Sequence, residues 1–207
     1  MKKILLCAFD PFGGESVNPA LMAVGQVSFE GVDLRKTEVP TVFYKSVALV
    51  CNIIDEFKPD AVIMIGQAGG RDKITPERVA INVSDARIAD NEGNVPCDEP
   101  VVAGAPAAYF STLPIKDIKA ALDSAEIPCA ISNSAGTFVC NHLMYGVLNH
   151  IEKHGLDTLA GFIHIPFLPE QTAQNQGVAS LPLENDVKAI ELAIGAVVKK
   201  LSEGNDV

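Results

Sequence analysis

Cys140 stands where a short apolar segment, Pro128–Ser132, passes through the small-residue turn Asn133-Ser-Ala-Gly136 into a helical pattern over Thr137–His154. A cysteine in the first turn of a helix lies among N–H groups without intrahelical partners, at the positive end of the helix dipole. Both favour the thiolate, the nucleophilic form, and the same N–H groups suit an oxyanion formed by attack on a carbonyl. Packing is the competing reading. Cys140 shares a helical stripe with Leu143, Met144, Val147 and Ile151, and buried cysteine is common. Cys7, Cys51 and Cys129 lie inside apolar runs and read as core, while Cys97 sits in a polar stretch with no evident activator.

A thiol nucleophile needs a base, and the chain has 4 histidines. His142 is two residues from Cys140, about 200° round the helix, and faces away. His150 and His154 are spaced for one helical face but flank Glu152 and Lys153, which marks that face as solvated. His164 ends the apolar run Ala160–Pro166, the next strand after the helix of Cys140. A strand–helix–strand crossover returns this strand beside Pro128–Ser132, which brings His164 to the end of the sheet where that helix begins. The bland alternative is a core histidine bonded to a backbone carbonyl. An acid that holds His164 in one tautomer would complete a triad. Glu77, Asp85, Asp98 and Glu99 are all candidates, and spacing does not choose among them.

These residues need a scaffold that gathers them. Apolar runs at Lys3–Phe9, Val32–Val39, Asp60–Gly66, Arg78–Ser84, Pro128–Ser132 and Thr158–Ile165 read as strands. Helical patterns fall between them, at Pro19–Phe29, Tyr44–Phe57, Ile115–Ala125, Thr137–His154 and Glu184–Leu201. The alternation argues for one α/β domain over 1–207, with a parallel or mostly parallel sheet and helices on both faces. Ligands of such sheets bind at the carboxyl ends of the strands. The loops expected there are Asp10–Gly14, Gln67–Arg71, Asn133–Gly136 and Pro166–Pro169. The polar stretch Asp85–Pro106 is long enough to suggest a functional loop. Gln67-Ala-Gly-Gly-Arg71 is Gly-rich but lacks the full phosphate-binding patterns, so it is a weak phosphate signal.

Composition narrows the partners. The 207 residues are 48% hydrophobic and carry a formal charge of −10, which supports a large core and leaves no global basic footprint for nucleic acid or anionic membrane. No apolar window approaches the roughly 18 residues of a membrane span. The 5 cysteines are odd in number and form no Cys-x-x-Cys pair, so neither structural zinc nor a disulfide frame is expected. A soluble chain of a reducing compartment fits.

Five blocks together resemble the pyroglutamyl-peptidase I (pyrrolidone-carboxylate peptidase) family of cysteine peptidases. They are FDPFGGESVNPA from Phe9, GQAGGRDKITPERVAIN from Gly66, DARIADNEGN from Asp85, ISNSAGTFVCNHLMYG from Ile131 and FIHIPFLPEQ from Phe162. The resemblance implies a catalytic triad of Cys140, His164 and Glu77, selecting Glu77 among the acids. It implies Arg87 as support for the oxyanion or the fold, Phe9 and Phe12 as lining of a ring pocket, and Gln67 as a substrate contact. It further implies a three-layer α/β/α sandwich of phosphorylase-like architecture, a cytoplasmic homotetramer, no metal or cofactor, and removal of N-terminal pyroglutamyl residues from peptides. Ala8 departs from the Gly common in the family, and its methyl group is expected to narrow the pocket. A nucleoside phosphorylase or a non-catalytic binding protein on the same architecture are the rivals; phosphate-dependent nucleoside cleavage, or function that survives Cys140→Ala, would mark them.

Overall fold

The computed structural model describes residues 1–173 and 177–203. Its main sheet has 5 strands in the order β2-β1-β3-β7-β4: β1 (Lys2–Phe9), β2 (Val32–Val39), β3 (Ala61–Gln67), β4 (Thr75–Pro76) and β7 (Leu159–Ile165). All pairs are parallel except β4 with β7. Two short strands, β5 (Val79–Ile81) and β6 (Ala108–Phe110), form a separate antiparallel ribbon.

Strand periodicity divides the core. Ile4, Leu6 and Ala8 of β1, with Ile63 and Ile65 of β3, pack with α1 (Pro19–Gln26), α3 (Ile115–Ser124) and α6 (Leu183–Glu203). The alternate residues Leu5, Cys7, Phe9, Val62 and Met64 pack with α2 (Lys45–Phe57) and α4 (Val139–Lys153). Because successive side chains point to opposite faces, strands apolar at every position must be covered on both sides. The result is the three-layer α/β/α sandwich. A short helix, α5 (Pro169–Thr172), follows β7. Among the described residues no helix is long and apolar enough to cross a membrane.

Ala8 is 1% exposed within the α1/α3/α6 core. Its methyl group therefore lies on the face of β1 away from α4, and does not narrow a pocket beside Cys140.

Two strand expectations change. Of Arg78–Ser84 only β5 is regular, and it pairs with β6 outside the main sheet. Pro128–Ser132 makes only isolated parallel bridges, Cys129 with Ile74 and Ser132 with Glu77. Consequently β4, an insertion two residues long, lies between β7 and that segment. No periodicity argument detects so short a strand.

The long loop is ordered by a buried acid. Asp90, 6% exposed, accepts hydrogen bonds from the backbone N–H groups of Phe43, Glu92 and Asn94 and from the Asn94 side chain. Asn91 then donates to Asp10 Oδ1 and Pro11 O, so the loop is tied to the segment after β1.

Candidate active site

The chain leaves β1 for β2 on one side and later places β3 on the other, so β1 and β3 form a switch point, where open α/β sheets bind ligands at the carboxyl ends. A cavity of about 860 Å³ opens there, and Phe12, Gln67, Arg71, Arg87, Cys140 and His164 are among its lining residues.

Cys140 is the second residue of α4 and is half-buried. Phe138 occupies the N-cap without a side-chain hydrogen bond, and the first turn holds no acidic residue, so side chains leave its first N–H groups unsatisfied. Asn141, fully buried, clamps the helix start to the β5 segment: Oδ1 accepts from Ile81 N, and Nδ2 donates to Ile81 O and Val83 O. Beneath the thiol lies Gly66 of β3. A Cβ on Gly66 would stand 2.7 Å from the Phe162 ring and 3.2 Å from Cys140 Sγ, so the bare backbone makes room for both.

The thiol itself runs against the sequence expectation. Burial and the charge of Glu77 push its pKa up, to about 12, against smaller lowering effects from Arg71 and its own backbone N–H. Helix position does not offset desolvation here. The resting group is a neutral thiol, and its activation requires a base.

A candidate base lies on the neighbouring strand, where His164 of β7 is paired in register with Gly66. His164 is 4% exposed, and its Nδ1 donates to Glu77 Oε1 at 2.7 Å. A carboxylate only accepts, so Nδ1 carries the proton and Nε2 keeps its lone pair. Burial lowers the imidazole's pKa, Glu77 raises it and Arg71 lowers it, leaving it below the ordinary value. Glu77 is wholly buried, directly after β4, where its N–H bonds to Phe162 O at 2.9 Å. Burial favours its neutral form, but the hydrogen bonds from His164 and Arg71 and the charge of His164 work against that, and its pKa is lowered.

The remaining candidates separate cleanly. Phe12 lines the cavity, its ring 6.2 Å from that of Phe138. Phe9 lies one layer deeper, buried with its ring 6.2 Å from Phe162, which in turn is 4.7 Å from His164. Gln67 lines the cavity and accepts a hydrogen bond from Gln171 at 3.1 Å. Arg87 is exposed at the rim with Asp85, while Asp98 and Glu99 lie elsewhere on the long loop, Glu99 bridged to Ser84. His150 reaches Asp55 on the outer face at 3.1 Å. His142 faces away from the cavity into the α2 side, accepting from Tyr44 N at 3.1 Å on Nε2.

Arg71 escaped the sequence reading. The Gly-rich loop's cation is turned onto Glu77 at 2.6 Å, and nothing in local spacing announces a contact that depends on how β4 folds back.

Comparison with known proteins identifies the family. A family model for pyroglutamyl peptidase matches residues 2–200. The pyrrolidone-carboxylate peptidase of Thermoanaerobacter sp. (strain X514) is 54% identical, over 96% of this chain and 98% of its own. The crystal structure of pyroglutamyl peptidase I from Bacillus amyloliquefaciens superposes with a TM-score of 0.93 at 48% identity, covering 96% of this chain and 98% of that one. Pyrrolidone carboxyl peptidase from Pyrococcus furiosus gives 0.92 at 40% identity, with 96% and 99% covered. Agreement of that extent, in sequence and in backbone, makes the chain a cysteine hydrolase belonging to the pyroglutamyl peptidase family.

Proposed function

We propose that the chain removes N-terminal pyroglutamyl (5-oxoprolyl) residues from peptides, with Cys140 as nucleophile, His164 as base and acid, and Glu77 as the orienting carboxylate. The observation that carries this reading is the buried Glu77–His164 hydrogen bond, 2.7 Å long, opening onto the cavity that also holds Cys140.

In the first step His164 Nε2 takes the proton of the Cys140 thiol as sulfur attacks the pyroglutamyl carbonyl carbon. The developing oxyanion gains from N–H groups at the start of α4, and Arg87 at the rim is a further candidate for its support. The imidazolium, steadied by Glu77, passes its proton to the leaving amine as the C–N bond breaks, leaving a thioester. Water, deprotonated by His164, then attacks the thioester; pyroglutamate leaves and the thiol is restored. The pyroglutamyl lactam is uncharged. Phe12 on the cavity wall, Phe9 behind Phe162 and Gln67 at the end of β3 suit such a ring better than an N-terminal ammonium, which must shed its hydration to enter.

The test compares matched peptides beginning with pyroglutamate, proline and glutamine, together with Cys140→Ala. Hydrolysis confined to the pyroglutamyl peptide and lost in the folded variant is expected; equal turnover of all three peptides, or an active Cys140→Ala, refutes it. The same reading includes a cytoplasmic homotetramer, supported by the family resemblance and by exposed apolar side chains such as Phe110, 70% accessible. Sedimentation analysis that finds a monomer at micromolar concentration would remove that part.

A further inference from the structure

Arg71 follows the turn Ala68–Gly70, in which Gly70 has φ +85° and Arg71 N donates to Ala68 O at 3.3 Å. The reversal points the guanidinium back into the molecule, where it meets three residues on two segments. Nη1 donates to Thr75 Oγ1 on β4 and to Glu77 Oε1, the latter at 2.6 Å. Nη2 donates to Ser134 O, at 3.3 Å, in the loop that enters α4. Thr75 is paired in register with His164, and its hydroxyl donates to His164 O at 3.4 Å. One planar cation thus joins the segment of Glu77 to the loop that leads to Cys140, and reaches the strand of His164 through Thr75. A guanidinium presents its donors on separate nitrogens of a rigid planar fork and so spans such a junction, whereas an ammonium's three donors radiate from one nitrogen.

Glu77 receives Arg71 and His164 on the same oxygen, Oε1. Its aim is therefore set by a permanent cation whichever charge state the imidazole has. On the peptidase reading above, we propose that Arg71 is a positioning residue: it locks Glu77 onto His164 Nδ1, and its fixed charge sets the pH range in which thiol and imidazole act together.

The direction follows from the surrounding charges. Burial dominates at both reacting groups, raising the thiol and lowering the imidazole. Glu77 raises both, and Arg71 lowers both. Asp85 and Arg87 are the other charged groups on the cavity wall. Neutralising Arg71 should move both titrations to higher pH.

The experiment uses the full chain with Arg71→Gln and Arg71→Lys. kcat/KM on a pyroglutamyl amide with a reporter leaving group is measured from about pH 5 to 10, across the acid limb of the profile. Iodoacetamide alkylation mapped to Cys140 is followed over the same range. Arg71→Gln should lose about tenfold or more in kcat/KM at the acid end, with both profiles displaced upward. Arg71→Lys should keep the profiles in place while losing several-fold in kcat, because an ammonium does not span the junction. Superimposable profiles for wild type and a folded Arg71→Gln overturn the proposal, as does an Arg71→Lys displaced as far as Arg71→Gln. Should Arg71→Gln fail to fold, Thr75→Val decides. Removing one anchor should cut kcat roughly three- to tenfold with little change in KM, and an unchanged kcat overturns the proposal. Failure of the wild type to hydrolyse the pyroglutamyl amide refutes the peptidase reading instead, while the alkylation profiles still judge Arg71.

Discussion

Two histidines of this chain are buried almost equally, His142 at 1% and His164 at 4% exposure, yet their surroundings differ in kind. His142 has only neutral partners: Ser84 Oγ at 2.8 Å on Nδ1 and the Tyr44 N–H on Nε2. With Nε2 accepting from an obligatory donor, both ring nitrogens are occupied, and burial alone lowers its pKa to about 4. His164 is buried against a carboxylate that holds Nδ1, and among the described residues no hydrogen bond occupies Nε2. Burial by itself makes a histidine inert. A buried anion on one nitrogen gives the other something to do, since the imidazolium formed during proton transfer then has a counter-charge in a low-dielectric site.

The first way to break this contrast is to replace each ring by Gln. His164→Gln should lower kcat/KM by a factor on the order of 10³–10⁴ with a nearly unchanged melting temperature, and Glu77→Gln by about 10²–10⁴. Turnover of either folded variant within tenfold of wild type would dissolve the distinction. Gly66→Ala sharpens it from the thiol's side. The added carbon would stand 2.7 Å from the Phe162 ring, which packs on His164, and 3.2 Å from Cys140 Sγ, so the proposed base and nucleophile are both displaced, costing roughly 10- to 100-fold in kcat/KM, a loss of positioning that steady-state kinetics would register in kcat. The smallest effect on turnover belongs to His142→Gln, expected within about threefold at neutral pH.

His142 should instead declare itself in stability. Its pKa is about 4 in the fold against 6.5 ordinarily, so between those values the unfolded chain binds a proton that the folded chain refuses. Stability from this group is complete above pH 6.5 and falls as pH drops towards 4, by up to about 3 kcal/mol. Melting curves across that range should steepen in the wild type and flatten in His142→Gln. Equal slopes would show that His142 is not the group responsible.

Much of this was readable beforehand, for identifiable reasons. Five helices and the four long strands announce themselves by period, and their alternation implies two covered faces. Cys140 and His164 could be paired from sequence because a helix start and the end of the following strand meet at one edge of such a sheet. Glu77 could not be chosen from spacing. It reaches the site through β4, a two-residue antiparallel insertion whose place depends on contacts with β7 and with Cys129–Ser132. Arg71 was hidden for the same reason, its partners being fixed only when that insertion closes. The direction of the Cys140 shift was also out of reach, since helix position is local information and desolvation is not.

Gly66 carries a consequence for how the site keeps its dimensions. The thiol rests over Gly66, and Gly66 is paired with His164 across two parallel strands. The strands beneath the proposed nucleophile and base are therefore held at the distance between hydrogen-bonded backbones, about 4.8 Å in any sheet, while the reach of the thiol over them is set by α4, which carries it. Helices that carry no residue of the site can tilt or breathe with temperature while the spacing of this floor stays the same.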